Sequence, residues 1–189
     1  MDVFLQCPEL EIKLPSTPEE WERIRSGFAR KSTNGIMRGC VGALDGFLQP
    51  VTTPKTKECK SNPRAYYSGH YNTPGLNCQG VCDSDLRSLH FSVVAPGKTA
   101  DCKAYEFTGL NDIVDKLPSG IYLVGDAAYM LTEHMLVPFT GAEKLDVEKD
   151  AYNFFQSQVR IRIEMAFGCL TTKWRILRRK LETSLKVSS

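Results

Sequence analysis

Three acids of this sequence stand where a rigid scaffold can hold them. The apolar runs 40–48 and 121–126 each read as a buried strand entering a Gly-containing turn, with Asp45 near the end of the first and Asp126 at the end of the second. A carboxylate in such surroundings is costly unless a cation receives it. Two strand ends lying side by side bring their side chains to one point. Glu164 falls one residue past the apolar stripe of a long helical segment, so it can face back toward the sheet edge. Oxygen ligands of this kind suit Mg²⁺ or Mn²⁺, which keep the rest of their shell as water and phosphate. Two such ions about 4 Å apart activate an attacking water and stabilise the leaving 3′ oxygen of a phosphodiester.

Each acid taken singly has a plainer reading. An Asp at a strand end is commonly a turn or cap residue. Glu164 and Arg160 are spaced as an ordinary i, i+4 surface pair on a helix. Three acids at three positions that this order of strands and helix brings together make the stronger signal, and both readings stay open at this point.

The elements that must position these acids are legible from periodicity and punctuation. Thr17, Pro18 and Glu20 form a helix start with a capping box, followed by Trp21, Ile24 and Phe28 at intervals of three and four, a helix to about residue 29. The polar stretch 50–77 reads as loop. Runs 76–83 and 89–95, separated by Asp83, Ser84 and Asp85, read as a hairpin. A helix is expected over about 100–117, closed by Pro118 and Gly120. After the strand 121–126 comes a connection at 140–147, and acids at 146–150 favour the first turn of a helix expected from about 148 to 177. Its stripe runs Phe155, Val159, Ile163, Phe167, Leu170, Trp174 and Leu177, which makes Trp174 a core residue. The order is that of a mixed α/β domain, with residues 1–39 as an N-terminal helical lead-in and 40–189 as the core.

At 189 residues the chain can bury a core without disulfide or metal staples, and 24% charged with 42% hydrophobic residues argues against wholesale disorder. The net charge of +2 hides an uneven distribution. From residue 156 onward Arg160, Arg162, Lys173, Arg175, Arg178, Arg179, Lys180 and Lys186 face only Glu164 and Glu182. A basic last third fits a polyanion or, more plainly, a solvated helix face. Lys173, Arg175, Arg178 and Arg179 are the candidates for contacts to DNA phosphates. Lys55, Lys57, Lys60 and Arg64 in the polar loop either touch a nucleic-acid backbone or keep that loop soluble. The seven cysteines show no framework spacing, and no apolar run approaches membrane-spanning length, so a reduced, intracellular protein is expected. Cys78 and Cys82 with His70 and His90 do not have zinc-ligand intervals, and buried strand thiols are the better reading. His134 and Glu133 read as surface or capping residues.

Three segments resemble the signatures of PIF/Harbinger-type transposases of the DDE superfamily. Gly-Ala-Leu-Asp-Gly at 42–46 is similar to that family's first-acid motif, and Val-Gly-Asp-Ala-Ala-Tyr at 124–129 to its second. The third, at 162–177, places Glu164 before Ala166, Phe167 and Gly168 and then a basic–aromatic run. Asn77, Pro96, Gly97 and Asp101 match its middle section. The resemblance implies an RNase H-like fold with Asp45, Asp126 and Glu164 as the metal-binding catalytic triad, holding two Mg²⁺ or Mn²⁺ ions. It implies hydrolysis of double-stranded DNA at an element end, then attack of the freed 3′-hydroxyl on target DNA, in the nucleus. A separate Myb-like DNA-binding protein and a homo-oligomer are the partners it brings in, and no membrane is involved. Asp101 lies near the site in such folds without being a ligand. The chain is expected to lack a helix-turn-helix segment and to be truncated in its C-terminal helices, so the rival expectation is a domesticated or decayed, catalytically inactive derivative that binds DNA or protein. An RNase H-like nuclease acting on other substrates is the third.

Overall fold

A computed structural model describes residues 12–56 and 62–182. Lys57, Lys60 and Lys186, singled out above, lie outside the described residues, as do Cys7 and Cys59 among the seven cysteines.

Helix α1 (Pro18–Lys31) starts as its residues dictate. The Thr17 hydroxyl accepts from the Glu20 amide at 3.3 Å, and the Glu20 carboxylate accepts from the Ser16 amide at 2.7 Å and the Thr17 amide at 3.3 Å. It buries Ile24 and Phe28 against strand β1 (Cys40–Pro50). After β1 and residues 51–66, of which 57–61 lie outside the described residues, come β2 (Tyr67–Ser68), β3 (Thr73–Cys82) and β4 (Ser88–Pro96). The expected hairpin is there, and the polar stretch before it holds more order than a loop: the 3-10 turn Pro63–Tyr66, strand β2 and the start of β3.

The helix expected over 100–117 is two helices, α2 (Asp101–Phe107) and α3 (Leu110–Val114). Gly109 divides them at φ +68, a left-handed conformation that a helix cannot run through. Strand β5 (Tyr122–Val124) follows, then β6 (Met135–Leu136), too short to leave a period in the sequence. Helix α4 (Val147–Lys173) begins at Asp146, whose carboxylate accepts from the amides of Glu148 and Lys149 at 2.9 and 3.3 Å.

The six strands form one mixed sheet in the order β2-β3-β1-β5-β6, with β4 also on β3. β1, β3 and β4 are antiparallel; β5 pairs parallel with β1 and with β6. Helices flank this sheet and complete one core of Phe28, Val41, Leu44, Val81, Val124, Val159 and Ile163. This is an α/β fold of the RNase H-like kind. The stripe of α4 holds through Val159 and Ile163 and ends with the helix at Lys173. Trp174, expected in the core, is 56% exposed, because the chain leaves the helix at that residue for the 3-10 turn Arg175–Arg178.

Candidate active site

Asp45 lies in the middle of β1, not near a strand end as its Gly46 neighbour implies. β5 pairs with β1 only from Cys40 to Ala43, whereas β3 pairs with it from Ala43 to Pro50, and this ladder carries the strand through Gly46. The register then sets the geometry. Ala43 stands opposite Val124 of the parallel neighbour β5, and Asp45 and Asp126 each follow two residues later, on the same side by alternation. Asp126 lies just past the end of β5, as expected, and its carboxylate accepts from the Ala128 amide at 2.9 Å. The Gln156 amide, buried on α4, donates to the Gly125 carbonyl at 2.7 Å and pins that turn to the helix.

Glu164 reaches the site from α4 because this helix comes very close to the sheet. Gly80 on β3 is the register partner of Asp45, and a methyl group there would sit 2.9 Å from the Phe167 ring. Phe167 also stacks on Phe47 at 5.4 Å between ring centroids. Glu164, three residues before Phe167, lines with Asp45 and Asp126 a cavity of about 540 Å³, also bordered by Asp101, Arg160, His70, Tyr71 and Lys98. Gly80→Ala is therefore expected to lift α4 locally and to lose about 1–3 kcal/mol in a urea titration, the usual cost of overpacking.

The carboxylates are not alike. Burial pushes Asp45 up from 3.8 to about 7. The Gly46 amide, donating at 2.8 Å, opposes this; the nearby Asp126 adds to it, Arg160 opposes it, and Asp101 adds to it. Glu164 is half-exposed and forms an ion pair with Arg160, the surface pair that its spacing suggested. Among the described residues no three His, Cys, Asp or Glu side chains close into a ligand cage. The donor chemistry nonetheless fits a hard divalent cation: several carboxylates border one cavity, and one of them resists ionisation where negative charge accumulates.

A fourth acid, Asp101, opens α2 and is held by two amides, Asn77, matched in the sequence only as a motif residue, and Gln79, which the sequence did not single out. Its carboxylate accepts from the side chains of Asn77 at 2.8 Å and Gln79 at 3.1 Å. Gln79 also donates to the Asn77 side-chain oxygen at 2.8 Å and accepts from the buried Tyr129 hydroxyl at 2.7 Å. Alternation along a strand, Asn77 then Gln79, was the available signal. Tyr71 and Lys98 left none, since loop closure alone brings them to the cavity.

The basic candidates sit at one end of α4. Lys173 ends the helix, Arg175 and Arg178 lie in the turn after it, and Arg179 follows; all four are exposed. Arg178 donates to the Thr172 hydroxyl at 3.1 Å. The segment runs back along the sheet, where the Gln49 side chain donates to the Arg179 carbonyl at 3.3 Å and the Leu181 amide to the Pro50 carbonyl at 3.0 Å.

Two other groups have structural places. His134 is buried, not at the surface, and its Nδ1 lies 2.7 Å from the Ile121 carbonyl. Cys78 and Cys82 are buried in β3, where burial pushes their thiols up to about 11 and about 12. The described cysteines are free, and among the described residues no helix is long and apolar enough to cross a membrane.

A mixed sheet whose central strand and parallel neighbour present two aspartates, with a helix bringing a third acid, defines a nuclease-type RNase H-like core. Comparison with known families matches residues 44–188 to the DDE superfamily endonucleases, and the chain belongs to that family. No curated protein and no solved structure matches it.

Proposed function

We propose that this chain is the catalytic domain of a metal-dependent DNA endonuclease and strand transferase of the Harbinger type, acting on transposon ends in the nucleus. One observation carries the reading: Asp45 on β1 and Asp126, just past the end of the parallel neighbour β5, each follow the matched pair Ala43 and Val124 by two residues, and Glu164 borders the same cavity, in a DDE superfamily endonuclease. Asp45, Asp126 and Glu164 would hold two Mg²⁺ or Mn²⁺ ions. Bound there, the ions supply an activated water and a stabilised leaving oxygen. The chain's own part is to hold the acids on rigid strands and to place Lys173, Arg175, Arg178 and Arg179 against double-stranded DNA phosphates. Motif residues at 42–46, 124–129 and 162–177 support the Harbinger assignment, and with it a Myb-like partner that locates the DNA ends.

The test is nicking and strand joining on supercoiled plasmid with Mg²⁺ or Mn²⁺, comparing the intact chain with Asp126→Asn and Glu164→Gln. Loss of both activities in both variants supports the reading; equal activity in either variant sinks the triad. The protonated state of Asp45 adds a pH signature. Cation binding displaces that proton, so apparent Mg²⁺ affinity rises about tenfold per pH unit up to about pH 7 and levels off above it. Calorimetry across pH 5.5–8.5 in two buffers of different ionisation heat reads both the affinity and the released proton.

The ion pair that engages Glu164 with Arg160 favours a second reading, a catalytically inactive derivative that binds DNA or protein. That reading expects no saturable heat from Mg²⁺ or Mn²⁺ even with DNA present.

A further inference from the structure

Arg160 sits one turn before Glu164 on α4 and pairs with it, at the border of the cavity that also holds Asp45, Asp101 and Asp126. Its charge reaches past that partner, since it also opposes the upward shift of Asp45. Carboxylates gathered around one cavity repel one another, and a guanidinium among them offsets part of that repulsion. The contact is weak enough to give way. The Arg160 and Glu164 side chains are 24 and 48% exposed, and a helical ion pair this close to solvent is worth about 0.3–0.5 kcal/mol. A divalent cation brings twice the charge to the same oxygens. Once it does, the guanidinium is repelled by the cation and has lost its carboxylate. The anion left for it is a substrate phosphate, which a guanidinium meets through two parallel hydrogen bonds.

We propose that the Arg160–Glu164 pair is a placeholder: Arg160 holds the third acid until divalent cations displace it, and the freed guanidinium then binds a DNA phosphate at the cavity mouth. This rests on the metal-dependent nuclease reading above and adds to it a residue that couples cation binding to DNA binding. The ion pair thereby gains a use in an active enzyme, whereas an inactive derivative would keep it closed. Lys98 supplies the comparison. It borders the same cavity and is exposed, but takes part in none of the ion pairs among the described residues.

Calorimetry with Mg²⁺ at one pH, with circular dichroism as the folding control, tests the first half. Arg160→Met keeps an unbranched stem, and is expected to bind Mg²⁺ about five- to tenfold more tightly than the unaltered chain, the scale of one unit charge removed beside a cation near the surface. Arg160→Gln, equally uncharged, is expected to give the same shift and stands in if Met disturbs the helix. Lys98→Met is expected to change the affinity by less than about twofold, because water and salt screen an exposed, unpaired charge. Fluorescence anisotropy of a labelled mixed-sequence duplex tests the second half, with and without Ca²⁺, a hard cation that takes the same oxygen ligands. Without divalent cations Arg160→Met and the unaltered chain are expected to bind the duplex equally, because Arg160 is engaged with Glu164. With Ca²⁺ the variant is expected to bind at least about fivefold more weakly, the loss of a charged phosphate contact. Unchanged or weaker Mg²⁺ binding by Arg160→Met and Arg160→Gln, an equal rise in Lys98→Met, or the same loss of DNA affinity with and without Ca²⁺ would each overturn the proposal. The absence of saturable Mg²⁺ or Mn²⁺ binding from all four proteins is a different result, which sinks the nuclease reading itself and the placeholder with it.

Discussion

At pH 8, Asp45→Asn protein is expected to be more stable than the unaltered chain when divalent cations are absent, and to cleave DNA at least a thousandfold more slowly when Mg²⁺ is supplied. Both effects come from one carboxylate. Asp45 ionises at about 7 in the folded chain and at 3.8 as a free side chain. The folded state therefore holds a proton between these values that the unfolded chain has released. Stability falls as pH rises through that window and stays at the lower level above it. The full difference corresponds to about 4 kcal/mol at most, so a gain of about 1–3 kcal/mol is expected once relaxation and the Arg160 charge are allowed for. The Asn side chain keeps an oxygen for the Gly46 amide, so the local hydrogen bond survives. Near pH 4 the two proteins should unfold together. Urea titrations at pH 4, 6 and 8 measure this directly; equal stability at pH 8 would mean that Asp45 ionises normally. The loss of cleavage follows if that position holds a cation, since Asn supplies no charge. An engineered gain in stability that removes activity is the mark of a site kept at a cost.

The second large effect is expected at Gln79. Gln79→Leu preserves volume and removes a side chain that is fully buried and fully used. Its amide donates to Asp101 and Asn77, and its carbonyl accepts from Tyr129. The substitution leaves the Tyr129 hydroxyl buried without an acceptor and Asp101 with one side-chain donor fewer, a loss of about 2–4 kcal/mol. Tyr129→Phe removes the stranded hydroxyl, so the double variant should recover part of the loss and fall short of the sum of the two singles. Urea titrations of the four proteins close this cycle. Strict additivity would mean that Tyr129 and Gln79 do not depend on each other.

Much of this arrangement was legible in the residues. The capping box at Thr17 and Glu20 forms as written, and the hairpin falls within a few residues of its expected place. So does α4 at its start, because Asp146 is a strong cap. The misreadings share a cause: tertiary pairing overrides local punctuation. Gly46 looks like a turn in isolation, yet its pairing with Gln79 of β3 carries the strand through it. Trp174 extends the apolar period of α4 on paper, yet the Leu181 segment hydrogen-bonds to the end of β1, beyond the point where the chain leaves the helix. His134 looked solvent-facing because β6, which begins at the next residue, is two residues long and leaves no period in the sequence. Asp101 could be matched as a motif residue, but the amide pair that grips it depends on β3 passing beneath α2, a contact no spacing announces.

The parallel pairing of β1 with β5 also bears on how the chain comes into being. Its partners lie about eighty residues apart, whereas β3 and β4 pair across a tight turn. Loop-closure entropy makes that long return a late event, and on the ribosome β5 and α4 emerge after β1, β3 and β4. The like charges of Asp45 and Asp126 are thus brought together only when most of the core can hold them. A nascent or prematurely terminated polypeptide carries the first aspartate on an ordinary hairpin sheet, with no acidic cavity assembled around it.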